Sequence, residues 1–426
     1  MMLDRRTLLK GAGAASLGLA AQGVFAPAIA QGKARVVVVG GGPGGATCAR
    51  YVAKDAGEKI AVTLVEPQKQ FTTCFHSNLY VGGFKKWEEI THSYDALRSK
   101  HGVNLVHDMA VAVNRETKTV RLRDGTTLPY DRLVLSPGIE IKYDSVPGYS
   151  QAAAEIMPHA WKAGPQTQAL VKQLDAVPDG GVIVMIAPPN PYRCPPGPYE
   201  RISMFAHVLK AKGHKNTRIV IIDPKKNFSK QALFMEGWEK HYPGMIEWLE
   251  PDMHGGVKSV DAKTMTIATG METYKVAMAN IIPAQTAGRI ALDAGLANDT
   301  GFCPIRPETM KSAMDENIYV LGDASIAGDM PKSGFSANSQ AKVAAMMIRG
   351  ELAGARTFPA RYANTCWSLI ETDDTVKVGG SYAAKDGKIA ATETFVSKTG
   401  EDAALRRQTS EENMGWYAGI VADIFG

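Results

Sequence analysis

Five cysteines, Cys48, Cys74, Cys194, Cys303 and Cys366, carry the chemistry this sequence offers most plainly. A thiolate is both a nucleophile and a two-electron redox group, so each thiol needs either a partner or a reason to be inert. No C-x-x-C or C-x-x-x-x-C spacing is present, which removes the adjacent dithiol of many disulfide reductases. C-x-x-C-H is missing too, so this chain carries no c-type haem of its own by that motif. Cys194 stands in a loop of six prolines running from Ala187 to Pro198, with Glu200 just behind it. Cys366 lies far downstream in Asn364-Thr365-Cys366-Trp367-Ser368, and Cys74 in Phe71-Thr72-Thr73-Cys74-Phe75-His76. Cys48, among Ala46, Thr47 and Ala49, and Cys303, between Phe302 and Pro304, read as packing residues. Glu200 taken alone reads as a surface acid paired with Arg201; burial would raise its pKa and fit it for proton transfer. Nine histidines show no tight ligand spacing, and no metal site is expected.

These thiols must be positioned by a scaffold, and its first element is the β-branched run Val36 to Val39, the pattern of a strand buried on both faces of a parallel sheet. Gly40-Gly41-Gly42-Pro43-Gly44-Gly45 follows, containing G-x-G-x-x-G at Gly40, Gly42 and Gly45. A second strand, Ile60 to Val65, ends at Glu66, about twenty residues on. Glycines permit the turn and close approach to a pyrophosphate, the helix N-terminus favours its charge, and the acid accepts from ribose hydroxyls. Strand, glycines and acid in this order predict a dinucleotide site.

Downstream, Asn317-Ile318-Tyr319-Val320-Leu321-Gly322-Asp323 resembles the second flavin motif of two-dinucleotide-domain flavoproteins of the glutathione reductase type, in which the aspartate binds the ribityl chain. Tyr130 to Gly138 resembles the strand and turn that close their first flavin segment. By itself, Asp323 can equally cap a helix beginning near Ser325. Cys74 falls where that fold places the isoalloxazine ring; a bond to the flavin 8α-methyl carbon and a buried apolar cysteine are both open readings. A middle strand, Gly181 to Ile186, is followed by the proline loop instead of a second glycine turn. Prolines cannot donate N–H groups to a pyrophosphate, so NAD(P)H binding is not expected although the next strand, Arg218 to Ile222, still ends in Asp223.

The chain of 426 residues, 45% hydrophobic and 21% charged, has the composition of an ordinary globular protein of two or three domains. Its net charge of +5 is too small to argue for nucleic acid. Arg5 and Arg6, an uncharged run from Gly11 to Phe25, and Ala28-Ile29-Ala30 read as a twin-arginine export signal, which directs the remainder to an oxidising periplasm. No later run is long enough to span a membrane, and the apolar patch at Trp416, Tyr417, Ile420, Val421, Ile424 and Phe425 is too short and too weakly basic to demand one. The expected fold is α/β: two Rossmann-like, glutathione reductase-like domains plus a smaller C-terminal α+β domain. The expected division is a signal at 1–30, FAD-binding segments at 31–150 and 285–350, a second Rossmann-like domain without a nicotinamide site at 151–284, and an interface domain at 351–426.

Together these residues resemble the flavoprotein subunit of flavocytochrome c sulfide dehydrogenase, a relative of the sulfide:quinone oxidoreductases. The likeness is most specific at Thr73-Cys74, at Cys194-Pro195-Pro196-Gly197-Pro198-Tyr199-Glu200, at Pro331-Lys332-Ser333-Gly334-Phe335 and at Asn364-Thr365-Cys366. The resemblance implies FAD bonded to Cys74 through an 8α-S-cysteinyl link, a redox disulfide between Cys194 and Cys366, and Glu200 as acid/base. It also implies Lys332 at the flavin edge and Trp416 near the sulfide site. A c-type cytochrome on another chain would take the electrons, in a heterodimer. The competing readings are a membrane-associated sulfide:quinone reductase and a non-catalytic FAD-binding module.

Overall fold

The computed structural model describes residues 32–54 and 56–426, so the export-signal reading of residues 1–30 lies outside the described residues. Its largest sheet has six strands in the spatial order Lys311–Ser312, Asp315–Val320, Arg132–Leu135, Ala34–Val39, Ile60–Val65, Asn104–Val106. All neighbours are parallel except the first pair. Val36 to Val39 are buried, as a strand covered on both faces must be. Two helices, Pro43–Ala53 and Gly334–Ala353, pack on each other beside this sheet. The first opens with proline in its first turn, where a missing N–H costs nothing.

A second sheet, Ile246–Leu249, Arg218–Ile222, Val182–Ile186, Met278–Ile281, is wholly parallel and has its own apolar core. The expected second Rossmann-like unit is therefore present. The helix Gly197–Ala211 follows the proline loop here. The chain then forms a three-stranded antiparallel sheet, Arg361–Glu371, Asp374–Lys385, Lys388–Val396, and ends in the helix Ala403–Phe425. This is the C-terminal α+β unit.

The strand Arg361–Glu371 packs against both Gly197–Ala211 and Gly334–Ala353. It is thus wedged between the two dinucleotide-type units, and Cys366 at its middle faces their junction. Polar clusters fix the wedge: Asp374 accepts from Arg406 at 3.1 Å and meets His241 at 2.7 Å, while Glu371 meets His207 at 2.6 Å. In the terminal helix Tyr417, Ile420, Ile424 and Phe425 are buried, and Trp416 and Val421 pack against the core. The patch read from the sequence is therefore spent inside the protein. Among the described residues no helix is long and apolar enough to cross a membrane.

Candidate active site

The glycine turn closes on itself as the sequence demands. Gly40 has φ +99°, and a Cβ there would lie 2.3 Å from the Ser136 carbonyl oxygen; a Cβ on Gly45 would lie 1.8 Å from the Gly40 oxygen. Only glycine allows the strand, the turn and the helix start to approach so closely. Gly42 faces a groove it shares with Gly40, Glu66, Cys74, Gly322 and Asp323. Glu66 is held at the end of its strand by two backbone donors, Gly41 N at 2.7 Å and Gln68 N at 3.0 Å.

On the far side, Gly322 has φ +69° and donates its N–H to Gln340 Oε1 at 2.8 Å. The reading of Asp323 as a helix cap fails. Gly322–Ala324 is a single tight turn, Ser325–Ile326 is a short strand, and the next helix begins at Gly334. Asp323 instead places Oδ2 3.5 Å from Arg193 Nη1, and its Oδ1 is buried with no partner. A buried carboxylate oxygen left unsatisfied is costly, and a ligand hydroxyl would satisfy it. The cradle without Cβ atoms, the anchored Glu66 and this orphaned oxygen fit an FAD laid along the groove.

Lys332 does not line that groove. Its ammonium donates to the carbonyls of Asp323 at 2.9 Å and Ser325 at 2.7 Å and lies 3.8 Å from the Phe302 ring centroid. Burial lowers its pKa to about 8. It braces the Gly322-Asp323 turn from behind, and its carbonyl accepts from Cys194 N at 2.8 Å.

The groove continues into a smaller cavity lined by Cys194, Cys366, Glu200, Arg201, His76 and Trp416, with Cys74 and Arg193 in the walls of both. About 70 Å³ of internal space suits a small anion or a few waters. Cys194 and Cys366 are both free thiols in the structure. Cys194 has φ +58°, a left-handed conformation that costs a non-glycine residue about 1–2 kcal/mol. Such strain persists only where surrounding contacts over-determine it. Here those contacts are the bond to Lys332 O and the donation from Gly197 N to Cys194 O at 2.8 Å. A Cβ on Gly197 would lie 2.9 Å from Cys194 Sγ, so glycine at the helix start makes room for the thiol. Cys366 Sγ lies 3.5 Å from Asn364 Nδ2, and Ser333 Oγ donates to Asn364 Oδ1 at 2.5 Å. Burial raises the pKa of both thiols, Cys194 the more strongly.

Glu200 is 8% exposed, in the first turn of its helix. The expected surface pairing with Arg201 is absent. The carboxylate accepts instead from Asn78 Nδ2 at 2.8 Å and from Leu369 N at 3.0 Å. Burial raises its pKa, opposed by those two bonds and by the charges of Lys230 and Arg201. Arg201, 2% exposed, donates to Asn78 Oδ1 at 2.9 Å and to the carbonyls of His159 and Ala160, each at 3.0 Å. Trp416 stands 5.1 Å from Trp367 and 5.8 Å from Phe75, centroid to centroid, and covers the cavity while packing on the core. Cys48 and Cys303 lie elsewhere, fully buried in apolar clusters that push both thiols up to about 12.

Four cavity residues had no sequence signal of their own: Asn78, Arg193, Arg201 and His76. Adjacency alone pointed toward them: Arg193 stands beside Cys194, Arg201 beside Glu200, and His76 and Asn78 within four residues of Cys74. His76, at φ +64°, stacks on Tyr417 at 4.2 Å, and burial lowers its pKa to about 4. In the middle unit, Asp223 is fully buried, accepting from Tyr199 Oη at 2.6 Å and Trp248 Nε1 at 3.0 Å and pairing with Lys225 at 2.7 Å. The acid that would face a ribose in that unit is saturated by its own chain.

Comparison with known proteins agrees along the length of the chain. Residues 167–283 match the model of the central region of the sulfide dehydrogenase (flavocytochrome c) flavoprotein chain. Residues 358–425 match that of the flavocytochrome c sulphide dehydrogenase flavin-binding region, and 34–177 that of pyridine nucleotide-disulphide oxidoreductases. The mitochondrial sulfide:quinone oxidoreductase of Dictyostelium discoideum is 23% identical over 306 residues, covering 68% of this chain and 65% of that protein's length. The solved sulfide:quinone oxidoreductase of Aquifex aeolicus superposes with a TM-score of 0.70 at 16% identity, over 92% of this chain and 91% of that one, which shows a shared fold. A sulfide dehydrogenase (flavocytochrome c) flavoprotein chain from Chlorobaculum thiosulfatiphilum is 57% identical over 47 residues, 96% of that sequence and 11% of this one. With its glycine-cradled groove opening onto two thiols and a buried acid, the chain belongs to the flavocytochrome c sulfide dehydrogenase flavoprotein family.

Proposed function

We propose that this protein oxidises sulfide with FAD, through a Cys194–Cys366 pair that cycles between disulfide and dithiol. The observation that carries this is the continuity of the dinucleotide groove with the thiol cavity, since Cys74 and Arg193 stand in the walls of both. FAD held by Gly40, Gly42, Gly45, Glu66, Gly322 and Asp323, and bonded to Cys74, would supply the two-electron acceptor. Lys332 acts on it through the turn it braces.

Hydrosulfide enters the small cavity past Trp416 and attacks one sulfur of the disulfide. A new S–S bond forms, the Cys194–Cys366 bond breaks, one cysteine becomes a persulfide and the other leaves as a thiolate. Glu200, its pKa raised by burial, takes the persulfide proton. Arg201 and Arg193 supply positive charge that draws an anion into a space whose walls include the rings of Phe75, Trp161, Phe335, Trp367 and Trp416. A second hydrosulfide takes the outer sulfur away as a hydrodisulfide anion, leaving both cysteines reduced, and their two electrons would pass to bound FAD as the Cys194–Cys366 bond re-forms. Electrons then leave to a c-type cytochrome on a separate chain, in the periplasm, and a pyridine nucleotide has no part. The saturated Asp223 and the proline loop support that last point.

Anaerobic addition of sulfide to the FAD-loaded protein tests the proposal. The flavin absorbance bleaches in the wild type and stays oxidised in Cys194→Ser and Cys366→Ser; a wild-type spectrum that stays oxidised overturns it. Acid precipitation leaves yellow colour in the pellet if Cys74 bonds the flavin, and colour released to the supernatant contradicts the link.

A further inference from the structure

Lys230 lines neither the dinucleotide groove nor the thiol cavity and belongs to no motif, yet its buried ammonium bonds the backbone of Cys366. The residue is 9% exposed, has φ +63°, and precedes the helix Gln231–His241. Its Nζ donates to the carbonyl of Cys366 itself at 3.1 Å, to Ser368 Oγ at 2.8 Å and to the carbonyl of Val376 at 3.3 Å. None of these partners is a carboxylate. A buried ammonium bonded only to neutral oxygens carries a desolvation cost that hydrogen bonds offset in part. Burial lowers the Lys230 pKa to about 8, so its charge is present below that pH, and the ionisable groups that oppose the shift are Cys366, Glu200 and Cys194, the three groups of the proposed reaction. Seen from Cys366, the facing groups are Lys230, Glu200, Cys194 and, on the paired strand, Tyr382, with the neutral donors Asn364 and Ser333.

We propose that Lys230 is a positioning residue for the thiol pair: it fixes the strand that carries Cys366 and, while protonated, supplies a positive charge that stabilises the Cys366 thiolate. This rests on the reading of Cys194 and Cys366 as the redox pair. The two thiols are thereby made unequal. Cys366 faces Lys230 and two side-chain donors; Cys194 faces Arg193, engaged with Asp323 at 3.5 Å, and Arg201, committed to Asn78 and two backbone carbonyls, and burial pushes its thiol up further than that of Cys366. The thiol with the lower pKa is the better leaving group in disulfide exchange. Lys230 therefore directs the negative charge to Cys366 whenever the disulfide opens.

The test is the pH profile of Cys366 alkylation by iodoacetamide in the reduced, FAD-loaded protein, read for each cysteine by peptide mass spectrometry. Lys230→Gln keeps N–H donors toward Ser368 and the carbonyls but removes the charge; Lys230→Arg keeps the charge. The Gln variant raises the Cys366 midpoint by about one pH unit or more, a roughly tenfold loss of thiolate at a fixed pH below the midpoint. The Arg variant and Ser368→Ala leave it near the wild-type value. A Lys230→Gln profile that superimposes on wild type, in protein of unchanged melting temperature, overturns the proposal. If Lys230→Gln does not fold, Lys230→Met is the second charge-removing variant, and a raised midpoint in Lys230→Arg or Ser368→Ala also overturns it. Alkylation needs no turnover. A wild type that fails to oxidise sulfide while the Gln variant shows the shift sinks the proposed function and leaves the Lys230 assignment standing, and the reverse pattern does the opposite.

Discussion

Glu200 and Arg201 are adjacent in the chain and do not pair, because Asn78 stands between them, donating to the acid and accepting from the base. That arrangement leaves the Glu200 carboxylate buried with no ion pair of its own among the described residues, free to exchange a proton with whatever enters the cavity. Glu200→Gln is expected to slow sulfide-dependent flavin bleaching by about 10²–10⁴-fold, as measured by stopped flow. As a base, Glu200 gives the wild-type rate a limb that rises with pH through a midpoint above the ordinary glutamate value of about 4.3. The Gln variant loses that limb. The same shift means that the folded protein binds this proton more tightly than the unfolded chain. Its contribution to stability is present at low pH and is lost as pH rises through the folded midpoint. Cys194 and Glu200 were legible in the sequence because proline, cysteine and acid stand together. The burial of Arg201 and Lys230 was not, since it depends on strands and loops far away in sequence, and a lone charged residue reads as solvated.

At the scale of elements, the strand–turn–helix at Ala34–Ala53 was readable to within a residue or two, because buried parallel strands and close backbone approach restrict composition so strongly. Ile60–Val65 and Arg218–Ile222 likewise fall where the sequence put them. The long strands at Arg361–Glu371 and Asp374–Lys385 were not individually visible. Their polar alternation is weak, and their register is set by packing against two helices from other units. The same reasoning makes Gly45→Ala informative. Its Cβ would meet the Gly40 backbone rather than a movable side chain. The expected result is a loss of about 1–3 kcal/mol in chemical denaturation together with reduced flavin content. Unchanged stability and flavin content would show that the turn opens without cost.

The whole molecule is two dinucleotide-type units joined across a cavity by a third, with Cys194 contributed by the middle unit and Cys366 by the C-terminal sheet. The two thiols are brought together only when all three units are packed, which is why no local motif announced them as a pair. The terminal helix turns its apolar side inward, onto the core of the first unit. The central claim is that these two cysteines form the bond that receives sulfide sulfur. Peptide mapping of the air-oxidised, FAD-loaded protein before and after one equivalent of sulfide, with rapid alkylation, measures this directly. The account predicts a joined 194–366 peptide pair that disappears on sulfide addition, with one of the two cysteines then carrying an additional sulfur. Both cysteines recovered as simple alkylated thiols before sulfide is added, or the added sulfur found on Cys48 or Cys303, would contradict it.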